Sequence, residues 1–326
     1  MSQPLSTARK ASYVLFALAL IVVARFNLGP CVLAGLVSYM MMDLTERRLR
    51  TTGVRQRFAR VAALGVFAIL TTLFAWIFVS FVRQGVVRLP LLLDMVLPRL
   101  TALTLEFGYE FPVDNALELR DLVVSSAKDN FSSIGKTSGW LTRILFQVLV
   151  GMFAAAIRFL TPQEEDARSN LFEVLRAEFS ARVRLFVRSF ERVVGAQVAI
   201  STVNTILTGL FLHVMGFPFK TFLILTAFVC GMVPIVGNII SNIAIVTAGL
   251  TISVQLATVG LVYLVVIHKL EYLLNSRIIG GSIDTPMWMT LLGLVVGEAM
   301  MGVPGVLLAP ALLHYAREEL RAIPAD

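Results

Sequence analysis

The chain has 326 residues, of which 57% are hydrophobic and 15% are charged, and its net charge at neutral pH is +7. Soluble domains carry about 25% charged residues, so this composition and a mean hydropathy of +0.81 exclude an ordinary soluble protein. The basic residues are mostly arginines beside apolar segments, as the positive-inside rule requires, so we expect an all-α integral membrane protein that binds no nucleic acid.

The chain begins with two short apolar segments, 11–24 and 32–42, which are joined through a Gly-Pro turn. A relaxed membrane-crossing helix takes about 20 residues, so the pair is either a re-entrant hairpin or two tight spans. The loop that follows contains six arginines between residues 46 and 60, which places it in the cytoplasm. Residues 1–60 are therefore predicted to form a helical hairpin and a basic cytoplasmic loop.

Residues 61–160 are predicted to hold two full-length spans, 61–82 and 140–160, around an amphipathic extracytoplasmic region. We expect the region between the spans to consist of short helices that lie along the membrane surface or against the bundle. Three prolines divide these helices from one another: Pro90, Pro98 and Pro112.

Residues 161–192 are predicted to form a basic amphipathic helix in the cytoplasm. Apolar residues recur there every three or four positions, and arginines fill much of the rest. This pattern suits an anionic membrane surface, and it equally suits a helix packed between subunits. In the first case, four arginines are candidates to contact anionic lipids: Arg176, Arg182, Arg184 and Arg188.

Residues 193–326 are predicted to form a C-terminal transport core with a broken helix. Its expected spans are 193–215, 221–250 with an interruption at 234–237, 253–275 and 287–315. The whole chain then has about eight transmembrane or re-entrant helices besides amphipathic surface helices. A count of eight crossings places both termini and both arginine-rich segments in the cytoplasm.

Glu271 is the strongest candidate for a functional side chain, because it lies within an apolar helix. His268 and Asn275 share its helical face at i−3 and i+4. Ionisable groups in such helices often carry protons or substrates, so Glu271 is a candidate to exchange a proton during transport. The alternative is a structural glutamate that pairs with Lys269 or Arg277 and locks a helix end.

The second candidate is the helix break at Pro234 and Gly237. Discontinuous helices in transporters expose backbone groups that hold ions and polar substrates. Asn238 and Asn242 follow the break and stack at i and i+4. The alternative is a proline kink whose asparagines bond to neighbouring helices.

The last apolar segment contains Glu298 among the small residues Gly297, Gly302 and Gly305. Small residues let helices approach closely, and Glu298 is predicted either to line a path or to bind an arginine of another subunit. The sequence contains no HExxH, P-loop, CxxC or GxSxG motif. We therefore expect neither an enzyme nor a metal site, and no cofactor.

These features occur in an order that resembles the bacterial autoinducer-2 exporter family, the PerM-type permeases. The resemblance rests on the break Pro234-Ile235-Val236-Gly237, on Glu271, on a loop with Gly280 and Pro286, and on the glycines of the last helix. It implies a multi-pass transporter of the bacterial inner membrane that assembles as a homo-oligomer of five copies. It also implies export of a small polar signal molecule or, in other members, sodium–proton exchange.

We therefore expect a proton-coupled secondary transporter that exports a small, autoinducer-2-like polar molecule, with Glu271 as the titrating group. One alternative is a sodium- or lithium-proton antiporter. Another is a membrane scaffold that transports nothing. The scaffold predicts that Glu271 and Pro234 tolerate substitution while the basic helix 170–192 does not.

Overall fold

The computed structural model describes residues 7–106, 125, 138–161, 170–233, 236–278 and 286–323, and no strand occurs in these ranges. The predicted all-α fold is confirmed. The helices, in chain order, are α1 (Thr7–Arg25), α2 (Gly29–Thr51), α3 (Gln56–Glu106), α4 (Ser138–Leu160), α5 (Leu171–Val214), α6 (Lys220–Gly231), α7 (Val236–Leu250), α8 (Val254–Ile278), α9 (Met287–Met301) and α10 (Val303–Arg321).

The helices have the lengths and composition of a polytopic membrane protein. Within the described ranges, five segments are long and apolar enough to cross a bilayer, and they lie in α1, α3, α4, α5 and α8. Three shorter apolar helices, α6, α7 and α9, have between 12 and 15 residues, which is less than a relaxed span requires. The prediction of about eight transmembrane or re-entrant apolar helices is confirmed.

The helices group into two compact units that do not follow chain order. The first unit contains Met1–Thr71, Thr142–Ala196 and Ile279–Asp326, and the second contains Thr72–Leu141 and Gln197–Ile278. Helices α3 and α5 are long enough to contribute to both. The division into four consecutive segments expected from the sequence stays a prediction; these segments are 1–60, 61–160, 161–192 and 193–326.

Helix α3 corrects the prediction that Pro90 and Pro98 separate short pieces, because the helix continues through both prolines. A proline inside a helix removes one backbone hydrogen bond, and tertiary packing can compensate for that loss. Here Leu92 and Val96, on the proline-containing segment, are 2% and 4% exposed. Pro112 lies outside the described residues.

The predicted broken span 221–250 is instead an antiparallel helical hairpin. Leu223 of α6 and Ile245 of α7 are far from the break in sequence, yet they belong to one buried cluster of the second unit. At the break itself, a Cβ atom on Gly237 would lie 1.6 Å from the carbonyl oxygen of Cys230. Helices α6 and α7 are in extensive contact with each other, so the chain folds back where a continuing span was expected.

The predicted span 287–315 folds back in the same way, within the first unit. Helices α9 and α10 meet at Gly302, whose φ of +64° and ψ of −146° are unfavourable for residues with a side chain. A Cβ atom on Gly305 would lie 1.8 Å from the carbonyl oxygen of Gly297. These glycines let two helices approach to backbone contact, as their spacing suggested.

A buried ionic network joins α1, α5 and α10 in the first unit. Glu319 is 7% exposed, accepts a hydrogen bond of 2.7 Å from the Tyr13 hydroxyl, and lies 3.5 Å from the guanidinium groups of Arg9 and Arg182. Arg182 is 5% exposed and also pairs with Glu178 at 2.9 Å. Arg182 therefore does not belong among the candidate lipid contacts, because two carboxylates and the protein interior enclose its charge.

We expect Glu319→Gln to lower the free energy of unfolding by about 2 kcal/mol, since hydrogen bonds to charged groups contribute roughly 1.5–3 kcal/mol. Glutamine keeps the shape but leaves Arg182 without the buried one of its two counter-charges. An SDS titration of purified protein in mixed micelles measures the change. Glu318→Gln, the adjacent position on α10, serves as the control, and equal stability of both variants would contradict the assignment.

Candidate transport site

Helices α7 and α8 of the second unit bring together four of the predicted residues. The Nδ2 atom of Asn238 donates to both carboxylate oxygens of Glu271 at 3.2 Å. Asn242, one turn further along α7, places its Nδ2 atom 2.8 Å from Nε2 of His268. Nδ1 of His268 lies 3.3 Å from Oε2 of Glu271. Asn238 and Asn242 on α7 therefore face Glu271 and His268 on α8.

One protonation pattern satisfies all of these hydrogen bonds. The amide nitrogen of Asn242 is a donor, so Nε2 of His268 accepts. A neutral imidazole then carries its proton on Nδ1, where it donates to the carboxylate of Glu271. The four side chains form a continuous hydrogen-bonded chain, in which the carboxylate of Glu271 accepts from His268 on one side and from Asn238 on the other. Only the imidazole and the carboxylate can exchange a proton, and the two amides hold them in place.

The first part of α5 within the second unit forms another polar wall that sequence reasoning missed. Gln197 donates to the carbonyl oxygen of Gly231 at 2.8 Å, and Ser201 donates to that of Phe228 at 3.1 Å. Thr208 hydrogen-bonds to the Tyr263 hydroxyl at 3.0 Å. These bonds fasten the end of α6 and the middle of α8 to α5. The available signal was a polar stripe in an apolar segment, at positions i, i+4, i+7 and i+11: Gln197, Ser201, Asn204 and Thr208.

The three polar faces enclose a cavity of about 30 Å³, which has room for a water molecule. Glu271, His268, Asn238 and Asn242 line it together with Ser201 and Asn204. The Oδ1 atom of Asn204 is buried and has no hydrogen-bond partner within the described part of the chain. Buried polar atoms are nearly always satisfied, so this oxygen marks where a water, a hydroxyl group or a cation would bind.

The cavity is lined by one carboxylate, one imidazole and several amide and hydroxyl groups. The side chain of Glu271 is 15% exposed and that of His268 is 37% exposed. Among the described residues, no group of three or more His, Cys, Asp or Glu side chains is placed to hold a metal ion. The geometry suits hydrogen bonding to a small polar molecule or contact with one hard cation.

The remaining predicted residues of this region are placed only in part. Gly237 is buried in the turn of the α6–α7 hairpin. Asn275 belongs to α8, but its side chain lies outside the described part of the structure, as do Pro234 and Gly280 altogether. Within the described side chains Glu271 pairs with His268, and no ion pair joins it to Lys269.

Glu298 and the last group of glycines belong to the first unit. Glu298 is exposed on the apolar helix α9, and no ion pair or side-chain hydrogen bond of Glu298 occurs within the described ranges. Pro286 caps α9, and its carbonyl oxygen accepts hydrogen bonds from the amides of Met289 and Thr290. Gly297, Gly302 and Gly305 shape the α9–α10 hairpin rather than a binding site.

A multi-pass bundle of apolar helices with fold-back hairpins and a carboxylate in a polar cavity defines a membrane transporter. Comparison with known proteins agrees with this class. The family described as "AI-2E family transporter" matches residues 11–325. The chain therefore belongs to the AI-2E transporter family.

A curated protein of Bacillus subtilis (strain 168), named "Putative transport protein YdbI", is 30% identical over 125 residues. The match covers 38% of this chain and 36% of the length of that relative. The family and the relative both support a role in transport.

Proposed function

We propose that this protein is a proton-coupled secondary transporter that exports a small, polar, autoinducer-2-like molecule, with Glu271 as the coupling group. One observation carries the proposal: the carboxylate of Glu271 accepts hydrogen bonds from Asn238 and from His268, which Asn242 holds in turn, beside a polar cavity. A carboxylate in a largely apolar helix costs free energy to bury, so such groups in membrane proteins usually have a function.

Protonation of Glu271 would change how α7 is held against α8. The charged carboxylate accepts hydrogen bonds from Asn238 and from Nδ1 of His268. A protonated carboxyl group has a donor of its own, and its hydrogen bonds to these neutral donors are weaker than those of the charged form. Gain of a proton therefore loosens the α7–α8 contact, and this links the proton to movement of the hairpin.

The polar wall supports a hydroxylated substrate. Asn204 offers an unpaired acceptor, and the hydroxyl of Ser201 can accept as well as donate. The cavity has room for one hydroxyl group, about the size of a water molecule, so a whole substrate enters only when the α6–α7 hairpin moves away from α8. A hydroxyl or carbonyl group of the substrate can satisfy these atoms, whereas an apolar group leaves them unpaired at a cost of about 1–3 kcal/mol each. The export of a small hydroxylated carbonyl compound follows from this preference and from the family.

The test uses purified protein in liposomes that contain a pH-sensitive dye, with an imposed proton gradient. Small hydroxylated carbonyl compounds, sodium and lithium are added in turn. We expect proton flux that depends on the hydroxylated compound and is absent from protein-free liposomes. No flux with any ligand, from protein shown to be folded, would contradict coupled transport and favour a scaffold role.

A sodium- or lithium-proton antiporter is the second candidate, because the cavity has oxygen ligands for a hard cation. The carboxylate of Glu271 and the unpaired Oδ1 of Asn204 line the same space. In the same liposomes, flux driven by sodium or lithium alone would favour this function over export.

Assembly and membrane placement complete the proposal. The most apolar windows of the candidate spans are only 6% to 22% buried, which leaves large surfaces for lipid or for further copies of the chain. We propose a homo-oligomer, with five copies as the family resemblance implies, in the bacterial inner membrane with both termini in the cytoplasm. Anionic lipids would contact the exposed arginines of α5: Arg176, Arg184 and Arg188.

A further inference from the structure

A second cleft occurs in the first unit, and all the residues that line it belong to that unit. Its volume is about 630 Å³, within the roughly 300–1,000 Å³ typical of small-molecule sites. It opens where α2, the first turn of α3 and the last turn of α4 come together. Four arginines and two carboxylates take part in its lining: Arg50, Arg57, Arg60, Arg158, Asp43 and Glu46.

Both carboxylates of the cleft already have basic partners. Glu46 is 7% exposed and lies 3.4 Å from Arg60 and 3.9 Å from Arg50. Asp43 pairs with Arg47 at 2.5 Å. These pairs neutralise the acidic side chains of the cleft and fix the guanidinium groups of its inner wall.

Two arginines of the cleft remain available for an anion. Arg57 and Arg158 are exposed, and within the described ranges neither has a carboxylate at ion-pair distance. They project from different helices, because Arg57 begins α3 and Arg158 is in the last turn of α4. The cleft therefore presents an excess of positive charge from two sides.

Close packing holds the helices that carry these arginines. A Cβ atom on Gly151 of α4 would lie 2.1 Å from the carbonyl oxygen of Cys31 on α2. Met42, Ala63 and Phe159, from α2, α3 and α4, form one buried cluster next to the cleft. The arginines are thus attached to a rigid support, and an anion would bind to a preformed site.

The position of the cleft identifies the source of the anion. The arginines stand at the ends of two candidate spans, Gln56–Arg88 and Leu141–Leu160. The same helix ends expose the apolar side chains Phe58 and Ile157, at 68% and 52%. A ligand here meets positive charge and apolar surface together, and basic pockets between helices at this depth suit lipid head groups.

We propose that this cleft binds the phosphodiester head group of an anionic phospholipid, held by Arg57 and Arg158. The head group occupies the cleft and the acyl chains lie against the apolar surface of α3 and α4. The proposal is independent of the transported substrate, so its test does not depend on transport.

Binding is measured by native mass spectrometry of the purified full-length protein, titrated with dioctanoyl phosphatidylglycerol or dioctanoyl phosphatidylcholine. We expect the anionic lipid to bind more tightly than the zwitterionic lipid. The double variant Arg57→Gln/Arg158→Gln should weaken binding of the anionic lipid roughly 30-fold, at about 5-fold for each arginine near a membrane surface. Glycerol 1-phosphate, which has no acyl chains, should compete poorly.

The matched control is Arg48→Gln/Arg55→Gln, which removes the same charge from two exposed arginines, near the end of α2 and just before α3, that do not line the cleft. This variant should bind the anionic lipid nearly as wild type does. Four outcomes would overturn the proposal: equal affinity of wild type for the two lipids, competition by glycerol 1-phosphate at the lipid's own concentration, an equal loss in the control, or no loss in Arg57→Gln/Arg158→Gln. The comparison of the two lipids on wild-type protein tests the proposal even if the Arg57→Gln/Arg158→Gln variant fails to fold.

Discussion

Replacing Glu271 with glutamine is expected to reduce ligand-dependent proton flux to the level of protein-free liposomes while the protein stays folded. Glutamine has the same shape, and its amide oxygen can still accept a hydrogen bond from Asn238. It cannot gain or lose a proton, so the link between proton movement and the α7–α8 contact disappears. The measurement is dye-reported flux in liposomes at several pH values, together with thermal unfolding in detergent.

Glu298→Gln is the matched control for this experiment. It removes one carboxylate from another apolar helix, but Glu298 is exposed and belongs to the first unit. We expect its flux to resemble that of wild type. A Glu271→Gln protein that transports normally at every pH would contradict the coupling role. Equal losses in the two variants would mean that the loss is not specific to Glu271, either because removal of any such charge has this effect or because Glu298 also lines a transport path as the sequence predicts.

The sequence was sufficient to find the polar residues of α7 and α8, because their spacing on each helix is local information. Asn238 and Asn242 are four residues apart, and His268 and Glu271 are three residues apart, so each pair lies on one face of its helix. Which residue faces which across two helices depends on how the helices pack. The pairing of Asn238 with Glu271 and of Asn242 with His268 therefore required the structure.

The helix break at residues 234–237 was also predictable, but the direction of the chain after it was not. A proline and a glycine stop a helix equally well in a kinked span and in a hairpin. The extensive contact between α6 and α7, with Leu223 and Ile245 in one buried cluster, is what reveals the hairpin. The glycines of residues 287–315 likewise do not indicate whether the chain continues as a single span or folds back.

Arg182 illustrates a different limit of sequence reasoning. Its neighbours Arg184 and Arg188 are exposed, and the pattern of arginines on α5 gives no sign that Arg182 differs. Its burial depends on Glu319, which is 137 positions away in the chain. A long-range ion pair of this kind does not change the local pattern of apolar and basic residues. The sequence pattern therefore cannot distinguish the buried Arg182 from the exposed arginines of α5.

Gly237→Ala is expected to lower the free energy of unfolding by about 3 kcal/mol, at the upper end of overpacking changes. A methyl group at this position would lie 1.6 Å from the carbonyl oxygen of Cys230. Backbone atoms, unlike the end of a flexible side chain, cannot turn aside, so the α6–α7 hairpin must open. Because α7 carries Asn238 and Asn242, opening also pulls these amides away from Glu271 and His268, and proton flux should fall as well.

Gly65→Ala provides the contrast, since a Cβ atom there meets nothing within 4 Å. Alanine in a helix interior is favoured over glycine by up to about 1 kcal/mol, so this variant should be as stable as wild type or slightly more stable. The SDS titration of both variants in mixed micelles separates the loss caused by close backbone contact from the general effect of an added methyl group. A Gly237→Ala protein as stable as Gly65→Ala would mean that α6 and α7 do not approach so closely.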